Sequence, residues 1–409
     1  MKILHTSDWH LGRLLHGRRR HQEMEAFLDW LHAVIAREKV DVLLVAGDVF
    51  DSTTPGNLAQ ELYYRFLARV ALSPCRHVVI IAGNHDSPSF VSAPQELLRS
   101  LHIHVVGAPC VEPEDEVLLL KNAAGEPQLM VCAVPFLRDK DIRLAEPGES
   151  IEDKERKTLE GITAHYERVF AFADQLQTTL SAPVPVIAMG HLFTNGARTT
   201  EGDGVRELYV GSLAHVPAAL FPEYLSYVAL GHLHMPQTVG GTPAVRYCGS
   251  PLPMSFGEAE QEKAVCLIDC RNGQCTSSTL AVPVFQKLVR LQGTWEHIEK
   301  RIGALAEEDL AIWLEIILDD EALIGDVRAR LDALTAGTKL EILRIRDSRI
   351  VARVLGNDAL TENLAELDLD DVFARCLEEH AIPDAQKVEL TAAYKELLTD
   401  FFAEDIQAG

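Results

Sequence analysis

The sequence predicts an α/β protein with a layered core, and three observations carry that prediction. From residue 1 to about 270, short apolar runs alternate with helical patterns, as in domains built from stacked strands and helices. Five of those runs end in polar groups of metal-binding type: Ile3-Leu4, Val42 to Ala46, Val78 to Ala82, Val186 to Met189 and Tyr227 to Leu230. The groups read, in order, Asp8-Trp9-His10, Gly47-Asp48-Val49-Phe50-Asp51, Gly83-Asn84-His85-Asp86, Gly190-His191 and Gly231-His232-Leu233-His234. In open α/β sheets ligands bind beyond the carboxyl ends of strands, so all five groups are expected on one edge of one sheet. Finally, 409 residues with 47% hydrophobic and 24% charged side chains suffice for two or three globular domains.

Each element follows from its local pattern. A first helix is expected from Arg19 to Glu38, with Met24, Phe27, Leu28, Leu31 and Ile35 on one face. Arg18, Arg19 and Arg20 at its N-terminus would oppose the helix dipole, which points either to an anionic partner or to a solvated surface. Tyr63 to Val70 and Glu152 to Gln177 also read as helices, with extended segments over Val105 to Pro135 broken at Pro113 and Asn122 to Pro127. Asn272-Gly273 marks a hairpin. Beyond it a β-α-β-α-β unit is expected: strand Phe285 to Leu291, a helix capped by Thr294 and running to Leu305, strand Ala311 to Leu318, helix Ile324 to Leu334 and strand Leu340 to Arg346. The C-terminal part reads as a linker and two amphipathic helices, Leu369 to His380 and Ala385 to Ala403. In the second, Leu390, Tyr394, Leu397, Leu398 and Phe401 form an apolar stripe that must dock on its own chain or on a partner, a partner being the expectation. The expected domains are residues 1–280, 281–347, a linker over 348–368 and a docking segment over 369–409.

Charge and cysteine usage narrow the function classes. A net charge of -23 argues against wide electrostatic contact with nucleic acid. The excess is uneven, however: from Leu355 onward there are 14 acidic residues against 3 basic ones, while Leu11 to Gln22 carries Arg13, Arg18, Arg19 and Arg20 with no acid. Those four arginines are candidate contacts to a nucleic-acid backbone. The eight cysteines include no Cys-x-x-Cys pair, which argues against a zinc ribbon and a disulfide framework; Cys266, Cys270 and Cys275 are read as apolar packing in the hairpin. No apolar run approaches the roughly 18 residues of a membrane span, and the N-terminus shows no signal-peptide pattern. A reduced, cytoplasmic protein is expected.

The five groups carry the chemistry. Two metals in one site need a shared ligand, and Asp48, central in the series, is assigned as the bridge. Asp8 and His10 reach one ion together, Asn84 offers an amide oxygen to the other, and His191, His232 and His234 complete the shells. Oxygen and nitrogen donors without thiolate suit manganese, iron, zinc or, less well, magnesium, and do not choose between them; two manganese ions are the expectation, with magnesium or another divalent metal as the alternative. His85 is read as a non-ligand that stabilises the transition state or protonates the leaving alkoxide. Asp86 either orients that imidazole or holds the turn. Each Gly-His or Asp-x-His pair is weak alone; five in order, each after a strand, are not.

Together these residues resemble the calcineurin-like metallophosphoesterase superfamily. Tyr227-Val228-Ala229-Leu230-Gly231-His232-Leu233-His234, Tyr247-Cys248-Gly249-Ser250-Pro251 and Phe256-Gly257-Glu258 further resemble the SbcD family of bacterial nuclease subunits. The resemblance implies a four-layer α/β (α+β) sandwich with a small α/β capping domain and a C-terminal helical segment. It also implies that Asp8, His10, Asp48 and His234 bind one manganese, that Asp48, Asn84, His191 and His232 bind the other, and that His85 is catalytic. The activity implied is 3′-to-5′ exonuclease on double-stranded ends and endonuclease on single-stranded or hairpin DNA, in repair, recombination and replication. The partner implied is an SMC-like ATPase subunit, SbcC, in a heterotetramer containing a homodimer of the nuclease, and the chain has no phosphate-loop motif of its own. Archaeal and eukaryotic relatives carry histidine where this chain has Asp51, so a second catalytic histidine is not implied; Asp51 remains a candidate for orienting a ligand or the substrate. A stand-alone phosphatase or cyclic-nucleotide phosphodiesterase, and a scaffold with a vestigial site, are the rival readings.

Overall fold

A computed structural model describes residues 1–93, 95–144, 149–198, 216–240, 244–271, 274–308, 310–319 and 327–347. In chain order the first elements are β1 (Lys2–Thr6), β2 (Leu14–Leu15), β3 (Arg18–Arg19), α1 (His21–Glu38), β4 (Val42–Ala46), α2 (Asn57–Ala71), β5 (His77–Ile81), α3 (Pro88–Ser92), α4 (Gln95–Ser100) and β6 (Ile103–Val106). Next come β7 (Val117–Lys121), β8 (Pro127–Ala133), α5 (Asp139–Ile142), α6 (Ile151–Thr179), β9 (Val186–His191), β10 (Tyr227–Gly231), β11 (Gln237–Thr238), β12 (Val245–Tyr247), β13 (Ala264–Arg271) and β14 (Gln274–Ala281). The last are β15 (Lys287–Gly293), α7 (Trp295–Glu307), β16 (Ile312–Leu318), α8 (Val327–Thr335) and β17 (Leu340–Asp347).

Two six-stranded sheets, not one, carry the metal-type groups. The first has the order β14-β13-β1-β4-β5-β6 and the second β11-β12-β10-β9-β8-β7. The strands β1, β4, β5 and β6 run parallel, as do β8, β9, β10 and β12. Ile3, Leu44, Ala46, Val79 and Ile81 of the first sheet meet Val131, Ile187, Met189 and Ala229 of the second in one buried layer. The opposite face of the first sheet packs Leu43, Val45 and Ile80 against Phe27, Leu31 and Phe66 of α1 and α2. The opposite face of the second packs Cys132, Ala188 and Leu230 against Tyr166, Val169 and Phe170 of α6. The result is four layers, helix on sheet on sheet on helix. Continuous apolar runs are what a strand buried on both faces needs, and they do not reveal whether its neighbour across the core is a helix or another sheet. The expectation of one sheet therefore failed on layer count alone.

The β-α-β-α-β unit is present as a parallel sheet in the order β15-β16-β17, with α7 and α8 as crossovers. Thr294 caps α7 as expected, its side chain accepting from the His297 N–H. Ile298, Ile302, Leu314, Ile316 and Leu331 form a core of their own. Trp9 is packing, edge-on to Phe27 and Phe66.

Two local expectations are corrected. The first helix begins at His21, because Leu14 to Arg19 form a ribbon pairing Leu15 with Arg18. His16 and Gly17 both have positive φ, 47° and 83°, the backbone of a two-residue hairpin turn. Cys270 and Cys275 form a disulfide rather than simple packing, since they are cross-strand partners in the β13–β14 hairpin. Asn272 and Gly273, and the stripe Leu390, Tyr394, Leu397, Leu398 and Phe401, lie outside the described residues. Among the described residues, no helix is long and apolar enough to cross a membrane.

Candidate metal centre

The loops after β1, β4, β5, β9 and β10 meet where the two sheets end. They are laced by backbone: Asp8 N–H donates to Gly47 O at 3.0 Å, His10 N–H to Asp48 O at 3.0 Å and Leu11 N–H to Val49 O at 2.9 Å. Asp8, His10, Asp48 and His232 all hold positive φ, at 53°, 47°, 50° and 100°. Such backbone persists only where the surroundings over-determine it, and it clusters at functional sites. Close approach demands glycine at two points: a Cβ on Gly83 would lie 2.1 Å from Asp48 Oδ1, and one on Gly231 1.8 Å from Ala46 O.

The donor atoms of Asp8, His10 and His234 lie within 4.8 Å of one another, as do those of Asp48, His191 and His232. Asn84 Oδ1 is 3.0 Å from His191 Nε2 and 3.1 Å from His232 Nδ1, so it joins the second group. Asp48 Oδ2 lies between the groups, 3.7 Å from His10 Nε2 and 3.3 Å from His191 Nε2. The structure thus brings together all seven residues expected as ligands.

The chemistry of this donor set fits divalent cations. His234 Nδ1 lies 3.2 Å from Glu258 Oε1 and His10 Nδ1 lies 3.3 Å from Asp51 Oδ1. The Glu258 carboxylate accepts, so His234 Nδ1 carries the proton and its Nε2 keeps a lone pair, 3.2 Å from His10 Nε2, where a cation would be held. Burial keeps His10 below its ordinary range, and burial together with His191 lowers His232 to about 3, leaving both as neutral donors. His191 must donate Nδ1–H to Ala46 O at 2.9 Å. Burial would lower it, yet Asp48 more than offsets this and raises it to about 9; its Nε2 proton is what a cation would replace.

His85 groups with His10 and Asp51, whose donor atoms also lie within 4.8 Å of one another, and belongs to neither of the two sets above. It is half-buried, its ring centre is 4.8 Å from that of His10, and Nδ1 donates to Asp51 O at 2.9 Å. Nε2 is the ring's other nitrogen, which accepts when bare and donates once it carries a proton. Asp51 Oδ1 also takes Arg13 Nη1–H at 3.0 Å. Burial would raise its carboxyl, but His10 and Arg13 hold it down at about 2. Asp86 does not touch His85 in any described contact; it accepts from Val49, Phe50 and Gly83 N–H at 3.1, 2.9 and 2.9 Å and braces the turns. The turn role therefore prevails over the orienting one.

The arginines divide. Arg18 and Arg19 are exposed on the ribbon, Arg18 paired with Glu341 of β17. Arg13 is tied to Asp51. Arg20 is a correction: its side chain is 0% exposed and binds Glu23 at 2.7 and 2.8 Å and Pro253 O at 2.6 Å, so it holds the fold and presents nothing to a ligand. Sequence reasoning missed the roles of Glu258 and Lys263, which are buried behind His234; Glu258 stands out in the sequence only as part of a family-like segment.

Residues 1–236 match the family described as calcineurin-like phosphoesterase, and residues 284–381 that described as type 5 capsule protein repressor C-terminal domain. The chain is 37% identical to the SbcD subunit of the nuclease SbcCD from Escherichia coli (strain K12), over 95% of this chain and 96% of that one. The SbcD subunits of Rhodobacter capsulatus and Bacillus subtilis are 38% and 32% identical, over 85% and 95% of this chain and 88% and 96% of theirs. Among solved structures, a dimetal phosphatase from Danio rerio aligns with TM-score 0.39 and 11% identity over 69% of this chain and 97% of that one, too distant to carry an argument. With the family match, the full-length relatives and the converged donors in hand, the chain is a metal-dependent phosphodiesterase that belongs to the SbcD family of calcineurin-like nuclease subunits.

Proposed function

We propose that this chain is the manganese-dependent nuclease subunit of a complex with an SMC-like ATPase, SbcC, built as a heterotetramer around a nuclease homodimer. It cuts double-stranded ends as a 3′-to-5′ exonuclease and single-stranded or hairpin DNA as an endonuclease, in the cytoplasm at the nucleoid. Asp8, His10, Asp48 and His234 hold one ion, and Asp48, Asn84, His191 and His232 the other. Two divalent cations held there would supply positive charge for the phosphodiester and lower the pKa of water toward neutrality. Asp51 aims the His85 ring through its carbonyl, and its carboxylate stands 3.3 Å from His10 Nδ1. His85 Nε2 delivers a proton to the leaving oxygen or stabilises its charge. Arg18 and Arg19 meet the DNA backbone. Residues 1–280 form the nuclease domain, 281–347 the cap, 348–368 the linker and 369–409 the segment that docks on the ATPase.

The observation that carries this reading is the half-buried His85 beside two donor groups that share Asp48. The reading is tested by manganese-dependent cleavage of a hairpin-ended duplex, with and without the ATPase subunit and ATP. Cleavage that rises with both supports it. Steady turnover of a small phosphodiester without any DNA cleavage overturns it.

A further inference from the structure

We infer that Glu258 is a positioning residue for His234: it sets which imidazole nitrogen meets a cation and ties that ring to the three-stranded sheet. The inference rests on the two-metal reading above. Glu258 and His234 are both buried, and Oε1 of the carboxylate lies 3.2 Å from Nδ1 of the ring. With Nδ1–H committed there, Nε2, 3.2 Å from His10 Nε2, is the nitrogen that would meet a cation, the arrangement by which carboxylates commonly orient metal-binding histidines.

The other oxygen is equally committed. Glu258 Oε2 accepts from Lys263 Nζ at 2.6 Å and from Met254 N–H at 3.0 Å. Lys263 Nζ in turn donates to His234 O and to Ser250 Oγ, both at 3.1 Å. The pair therefore grips His234 twice, by its ring through Glu258 and by its carbonyl through Lys263. Burying two charges to fill space would be a poor choice, since apolar residues of similar volume commonly serve as well or better. What the ion pair adds is a fixed direction for the ring.

Glu258 sits in the 3₁₀ turn Phe256–Glu258, and Phe256 leads away from the site. Its side chain is buried with Leu15 of the ribbon and Leu288 of β15, and Trp313 and Leu343 of β16 and β17 pack against that cluster. The His16 ring stacks on Phe256 at 5.7 Å. The small sheet thus packs directly against the turn that holds Glu258.

The test begins with ¹⁵N-histidine-labelled, metal-free wild-type protein, its His234 signal assigned with a His234→Gln variant. The expected result is the Nδ1–H tautomer. Manganese titrations of wild type and Glu258→Gln then follow free ion by electron paramagnetic resonance, alongside hydrolysis of a nitrophenyl phosphodiester at each metal concentration. One ion should bind about 10–100-fold more weakly in Glu258→Gln while the other is unchanged, and turnover at saturating manganese should recover toward wild type. Because that variant leaves Lys263 buried and unpaired, the double variant Glu258→Gln, Lys263→Met is measured as well and should weaken the same single ion. An Nε2–H tautomer in the wild type, or wild-type affinity for both ions in either variant, overturns the inference. If both variants fail to fold, the wild-type tautomer decides. A wild-type protein that binds no manganese would instead overturn the two-metal reading.

Discussion

Replacing His85 by glutamine separates metal binding from proton transfer. The side chain makes no contact that the seven donors depend on: its ring donates to the Asp51 carbonyl, and its backbone N–H, which glutamine retains, donates to Asp48 Oδ1 at 2.9 Å. Glutamine is of similar reach and its amide can still donate to that carbonyl, so two ions should remain bound. What disappears is an imidazole nitrogen able to pass a proton to the leaving oxygen, which the glutamine amide does not replace. General acid catalysis is worth about 10²–10⁴-fold, or about 3–5 kcal/mol of activation free energy. The loss should depend on the leaving group, because nitrophenolate needs little protonation and a deoxyribose alkoxide needs much. His85→Gln should therefore fall toward the upper end of that range on DNA and toward the lower end on a nitrophenyl phosphodiester. The assay pairs elemental metal analysis with initial rates on both substrates at saturating manganese. Loss of both metals, or equal rate losses on the two substrates, would refute the assigned role.

Asp48→Ala should take metal content from two ions to none, because its carboxylate stands between both donor groups; retention of one ion by elemental analysis would count against a bridge. Arg20→Met should lower stability by about 3–5 kcal/mol by stranding buried Glu23, without changing the salt dependence of DNA binding by the protein that still folds. Arg18→Ala and Arg19→Ala should each flatten that dependence by about 0.9 per lost phosphate contact with little change in melting temperature. Deleting residues 369–409 should spare hydrolysis of a small phosphodiester and abolish co-purification with the ATPase subunit; a truncated chain that still co-purifies would place the docking surface elsewhere.

Much of this was legible because the physics that selects the residues is local. Strands buried on both faces read as unbroken runs of Val, Ile and Leu, and Thr294 announces α7 by a capping geometry that any four residues reveal. The donors were legible because imidazole and carboxylate directly after a strand end have few structural uses. Long-range facts were not. That β1 and β10 belong to different sheets depends on how two layers stack, and no periodicity records it. Arg20 looked like its neighbours until Glu23 and the Pro253 carbonyl enclosed it. His16-Gly17 did carry a readable turn signal, which the run of arginines after it obscured.

The seam between the two sheets also governs how the protein is assembled. The hydrogen bond from His232 N–H to Asp8 Oδ1 joins residues 224 positions apart, and that from His191 to Ala46 O spans 145. Closure of such long loops comes late and slowly, since parallel pairing across distant segments must lose chain entropy before contacts repay it. The donor set therefore exists only once both halves have docked, and cations that bind it stabilise the finished state in proportion to the logarithm of their concentration. Metal bound there would act as a fastener across a folding boundary, so a transient parting of the sheets would release ions while each sheet is still intact.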